Sequence, residues 1–165
     1  MKSFLFLVGV IAFYLGVNYF SFTEGAVQRW AKKSQFPDEE STALFCNMLQ
    51  AETIINFNYT INSRSTKTIE PNSSSLCNYY KQNIIPGAKP HTVRVHTKVI
   101  SHQHSEELPF NKGKSQIEIS IIKDKLKINR KIDIELKRNL LGDFTILSIK
   151  GHDQITQEEK PRHRY

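Results

Sequence analysis

The chain has 165 residues, a formal net charge of +7, 39% hydrophobic residues and two cysteines. With an apolar N-terminal stretch set aside, about 140 residues remain, which is one ordinary domain able to fill a core. A basic balance suits nucleic acid, anionic lipid or acidic polymers, but no Arg/Lys-rich helix with interleaved aromatics occurs, so nucleic acid is not an expected partner. The absence of a C-x-x-C pair argues against thioredoxin-type redox chemistry and a zinc ribbon.

Residues 4–20, FLFLVGVIAFYLGVNYF, contain no charge and come directly after Met1, Lys2 and Ser3. The length lies between a signal-peptide core and a spanning helix of about 20 residues. The segment ends in bulky aromatics, not in the small residues of a cleavage site, and Tyr14, Tyr19 and Phe22 suit a membrane–water interface. Residues 1–22 therefore read as an uncleaved signal anchor, with secretion after cleavage as the alternative. Close to the span, Arg29, Lys32 and Lys33 outweigh Lys2 and lean against export of the domain. Cys46 and Cys77 lean towards it. In an exported domain they read as a disulfide closing a loop of about 30 residues, and otherwise as two buried thiols. The expected location is thus membrane-anchored, with residues 23–155 on the periplasmic or extracytoplasmic side and residues 156–165 as a charged tail. Asn58 and Asn72 head glycosylation sequons, which matter only in a glycosylating compartment.

After the anchor, TEGAVQRWAKKS suits a short helix capped by Thr23, with Ala26, Val27, Trp30 and Ala31 on one face. Pro37, Asp38, Glu39 and Glu40 start a second helix with a stripe of Ala43, Leu44, Met48 and Ala51. ETIINFNYTIN alternates as a strand, with Ile55, Phe57, Tyr59 and Ile61 on one face. A polar stretch leads to a third helix, SLCNYYKQNI, capped by Ser73, Ser74 or Ser75 and stopped by Pro86 and Gly87. Four alternating segments complete the chain. The first covers 91–101, the second centres on Ile117, Ile119 and Ile121, and a hairpin at Asp124 leads into the long third. The last, FTILSIK, ends at Gly151, His152 and Asp153, which read as a turn.

This element order resembles the cone-shaped α+β fold of the NTF2-like superfamily, carried by ALFCNMLQAETIINFNYTI, SLCNYYKQ and LLGDFTILSIKGHDQI. The resemblance spans residues 23–155 and implies helices packed in a strongly bent antiparallel sheet. Members of that superfamily range from isomerases and dehydratases to binding modules and membrane-anchored assembly subunits, so the fold leaves function open.

Arg130 falls in phase with Leu126, Ile128, Ile132 and Ile134 on the apolar face of its strand, where a buried guanidinium needs a partner. In a cone fold that face lines the interior, so Arg130, with Tyr59, Thr97 and Ser148, forms a candidate site for a small anionic ligand; a register bulge or a marginal position is the alternative. No inward acid stands out for an isomerase or dehydratase, so no catalytic residue is assigned. His102 and His104 read as part of a polar loop, and no metal or cofactor is expected. Arg94, His96, Lys98, Lys125, Lys127, Lys131 and Lys137 form an expected cationic outer face, suited to an anionic surface or an acidic envelope partner. The favoured function is a membrane-anchored, non-enzymatic interaction or assembly module; an Arg130 pocket protein and an isomerase or dehydratase are the alternatives.

Overall fold

A computed structural model of the chain describes residues 2–106, 111–139 and 143–157; the side chains at 2, 3, 5 and 18–21 lie outside that description. The elements run α1 (Lys2–Ser21), α2 (Glu24–Ser34), α3 (Glu39–Met48), β1 (Leu49–Ile61), β2 (Ser65–Thr68), α4 (Ser73–Gln82), β3 (Arg94–His104), β4 (Lys112–Lys123), β5 (Leu126–Arg138) and β6 (Phe144–Gln157). Of the expected charged tail at 156–165, Thr156 and Gln157 belong to β6, and residues 158–165 lie outside the described residues.

The six strands form one sheet in the order β2-β1-β6-β5-β4-β3. It is mixed, not antiparallel as the resemblance implies: β1 runs parallel to β6, and the long connection that a parallel pair needs is supplied by α4 and four strands lying between them in the chain. Shifts in register between Val99 and Ser101 and between Glu135 and Leu136 mark bulges, which bend and twist a sheet. On the inner face, α2 lies against β3, while α3 and α4 pack together over β1.

Local signals explain most of the helices. Thr23 caps α2 by accepting from the Ala26 N–H, and Ala26, Val27, Trp30 and Ala31 are buried. Asp38 caps α3 through Ser41 N–H at 2.7 Å. The α3 stripe differs from expectation: Phe45 is fully buried, Leu44 is half-buried and Ala43 is exposed. Phe45 turns inward because its ring stacks on Tyr80 at 4.1 Å, and the adjacent Cys46–Cys77 disulfide joins α3 to α4. The cap of α4 is Asn72, not one of the serines; its side chain accepts from Ser75 N–H at 2.7 Å. β2 falls in the stretch read as polar loop, and its Ser and Thr side chains carry no alternation signal.

Phe22, just beyond α1, is fully buried against His102, His104 and Phe144. Phe4, Phe6 and Phe13 of α1, by contrast, are 70%, 75% and 75% exposed. Among the described residues no helix is long and apolar enough to cross a membrane.

Candidate functional site

A single register row crosses the inner face: Thr97 of β3, Ile119, Arg130, Asp153 and Tyr59 of β1 stand side by side. Arg130 is the inward guanidinium expected, and its partner is Asp153, the residue directly opposite on β6. Arg130 Nε and Nη2 donate to the two Asp153 carboxylate oxygens at 2.7 and 2.6 Å. Nη1 donates to Gln35 Oε1 at 2.7 Å, and the guanidinium lies 4.1 Å from the Tyr80 ring centroid. Tyr79 Oη donates to Asp153 at 2.8 Å, and Tyr80 Oη donates to Gln35 at 3.0 Å.

Arg130 and Asp153 are both buried, and the electrostatics stem from that. Burial pushes the Arg130 guanidinium towards neutrality, but the Asp153 carboxylate more than offsets this, so its pKa rises. Burial raises the Tyr79 hydroxyl well above the usual tyrosine range, with Asp153 adding to the effect. Tyr80 is raised chiefly by burial, against the opposing pull of Arg130.

The structure brings Arg130, Tyr59 and Thr97 onto one face but sends Ser148 to the other. The bulge opposite Glu135 and Leu136 places Ile146 and Ile149 both inward, so Ser148 pairs with Glu135 on the outer face. The Arg130 site also differs from an open pocket, because Tyr59 packs on Tyr79 at 5.0 Å and the aromatic rings of α4 fill the space over the ion pair.

Asp153 is the functional group that local sequence signals place in a turn. β6 instead continues through it to Gln157. The missed signal was period two: Ile149, Gly151, Asp153 and Ile155 share the inner face. Gly151 misled because it resembles a strand terminator. Its role is steric, since a Cβ there would meet Phe57 Cε2 at 2.5 Å and Ile132 Cγ2 at 2.8 Å.

His102 and His104 stand on β3 and not in a loop, both directed inward beyond the β3 bulge. His102 Nε2 donates to the Phe22 carbonyl oxygen at 3.2 Å, and its Nδ1 is hydrogen-bonded with Ser115 Oγ at 2.8 Å. Burial, then the neighbouring His102, lowers the His104 pKa below the ordinary histidine value. Among the described residues no group of three or more His, Cys, Asp and Glu is arranged to hold a metal ion.

The outer face carries His96, Lys98, Lys127 and Lys131 as expected, with Arg94 and Lys137 near its ends; Lys125 lies in the β4–β5 turn instead. The face is not purely cationic. Glu118, Asp133 and Glu135 alternate into it, and Lys131 Nζ meets Glu118 Oε1 at 2.9 Å. Depressions mark this face among the described residues. One of about 610 Å³ is lined by residues that include His96, Lys98, Asn129 and Gln154, and one of about 360 Å³ lies beside Gln116, Asp133 and Ser148.

No family model matches the chain, and no curated protein does. Among solved structures, it is similar to an NTF-2 like protein of unknown function from Pseudomonas aeruginosa, with 10% identity, a TM-score of 0.46 and coverage of 81% of this chain and 99% of that one. It is similar to nuclear transport factor 2 of Cryptosporidium parvum, with 11% identity, a TM-score of 0.45 and coverage of 85% and 94%. An LEH-like epoxide hydrolase from M. tuberculosis shows 9% identity, a TM-score of 0.39 and coverage of 79% and 83%. The chain is similar to NTF2-like folds, and at these values no activity passes from them to it.

Proposed function

We propose that the chain is a membrane-held interaction module whose domain lies in an oxidising, extracytoplasmic compartment and binds its partner through the outer face of the sheet. The observation that carries this reading is the contrast between α1 and Phe22 at its C-terminal end. Phe4, Phe6 and Phe13 are largely exposed, while Phe22 is wholly enclosed in the domain. A contiguous row of large apolar side chains in water is unfavourable at about 25 cal/mol per Å², and a lipid environment removes that cost. The Cys46–Cys77 disulfide fits an oxidising compartment.

The non-enzymatic part is supported by the interior. The three Arg130 nitrogens and the Asp153 carboxylate are engaged with each other and with Gln35 and Tyr79, and aromatic rings pack over them. The isomerase or dehydratase reading has one group in its favour, the inward carboxylate of Asp153. That carboxylate is fully buried and accepts three hydrogen bonds, so a substrate would have to break the ion pair to reach it. The same geometry weighs against Arg130 as an anion receptor.

Membrane fractionation with maleimide labelling before and after reduction tests the proposal in intact cells. The expected protein pellets with membranes and labels at Cys46 and Cys77 only after reduction. Free labelling of both thiols without reduction would reverse the topology, and a soluble protein would remove the anchor.

A further inference from the structure

The larger outer depression has a composition that a general cationic face would not require. Two outward register rows line it, one reaching from β3 to β6 and one from β3 to β5, with Thr97, Ile119 and Arg130 of the row between them also in the lining. One is His96, Ser120, Asn129 and Gln154, and the other brings Lys98, Glu118 and Lys131 together. At the β3 edge Lys32 of α2 joins the lining, so amines from three elements converge on about 610 Å³. That volume falls in the range of small-ligand sites.

The two rows differ in chemistry. Lys98 and Lys32 make no ion pair among the described residues, whereas Lys131 is bonded to Glu118. Asn129 Oδ1 accepts from Ser120 Oγ at 3.2 Å, which leaves its Nδ2 group and the whole Gln154 amide open to a ligand. A side-chain amide offers both donors and acceptors. Those acceptors, together with the Glu118 carboxylate, would oppose a bare polyphosphate, but they match hydroxyl groups, which donate as well as accept. The free amines in turn need carboxylates or their equivalent.

From this juxtaposition we infer that the depression is a binding site for an acidic saccharide, a hydroxyl-rich chain carrying carboxylates. Lys32 and Lys98 take the carboxylates, while Asn129, Gln154 and Glu118 take the ring hydroxyls. The inference rests on the outer-face half of the proposed function and is independent of α1.

Calorimetric titration of the full chain in non-ionic detergent, with tetragalacturonate, maltotetraose and inorganic polyphosphate as probes, tests it. Tetragalacturonate is expected to bind with an affinity that falls as salt rises, and maltotetraose far more weakly. Lys98→Glu and Lys32→Glu should each weaken tetragalacturonate by about tenfold or more, the usual scale of a lost charge-assisted contact. Asn129→Ala should weaken it about threefold, on the scale of one neutral hydrogen bond, while leaving any polyphosphate binding unchanged. Lys81→Glu, on the helical side, should change nothing. An intact disulfide in each variant shows that the fold is retained. No tetragalacturonate binding, equal loss with Lys81→Glu, or polyphosphate binding at least as tightly would overturn the site. Retained saccharide binding by a protein that fails to pellet with membranes removes only the anchor; the converse removes only this site.

Discussion

Arg130 and Asp153 occupy directly opposite positions on β5 and β6 and close a two-point ion pair at 2.7 and 2.6 Å with both side chains buried. Geometry of this kind satisfies the fixed fork of the guanidinium, and Gln35 and Tyr79 supply further hydrogen bonds. Removing one partner strands a buried charge. Asp153→Ala or Arg130→Ala should therefore destabilise by about 3–5 kcal/mol in urea unfolding. Arg130→Ala with Asp153→Ala should lose much less than the sum of the single changes, because no charge is left behind. Simple additivity would show that the pair does not act as a unit.

Gly151 provides a second test. Gly151→Ala drives a methyl group against Phe57 and Ile132, and overpacking of this kind costs about 1–3 kcal/mol. Phe57→Leu alone should also destabilise, but combined with Gly151→Ala it should recover part of the loss. An unchanged melting temperature for Gly151→Ala would contradict the close approach.

Gln28 guards the edge of the sheet. Its amide donates to the Thr97 carbonyl and its oxygen accepts from Val99 N–H at 2.9 Å, the pattern a neighbouring strand would supply. Gln28→Glu keeps the acceptor and removes the donor, so a loss of about 1–2 kcal/mol is expected. Gln28→Ala should in addition promote association, read as larger species by light scattering, because it uncovers an edge strand.

Two pH limits arise from the shifted groups. The folded pKa of His104 is depressed, so the unfolded chain binds a proton first and stability falls as pH drops below about 6.5. His104→Gln should flatten that acid slope in denaturant midpoints. Tyr79 and Tyr80 have raised folded pKa values, so their contribution is intact below about pH 10 and is lost as pH rises beyond it. Tyrosinate absorbance should show these two rings ionising only together with unfolding. Titration of both in the native protein would contradict their burial.

The sequence by itself determined the local units. The cap at Thr23 acts within one turn, and alternation in 126–136 reports a half-buried strand wherever it packs, so both were readable without the fold. It also put Arg130 in phase with the apolar face, with a register bulge or a marginal position as the alternative, and it offered Cys46–Cys77 as a disulfide. What the tertiary structure decided were relations between distant segments. Asp153 became the partner of Arg130 only when β6 ran on through Gly151, which depends on the missing Cβ leaving room for Phe57. Ser148 left the inner face because one bulge reverses the phase of every residue beyond it. The parallel pairing of β1 with β6 joins the two ends of the domain, and α4 fills the interior with Tyr79 and Tyr80. Each of these turns on shape and register between segments far apart in the chain, and local periodicity carries no record of them.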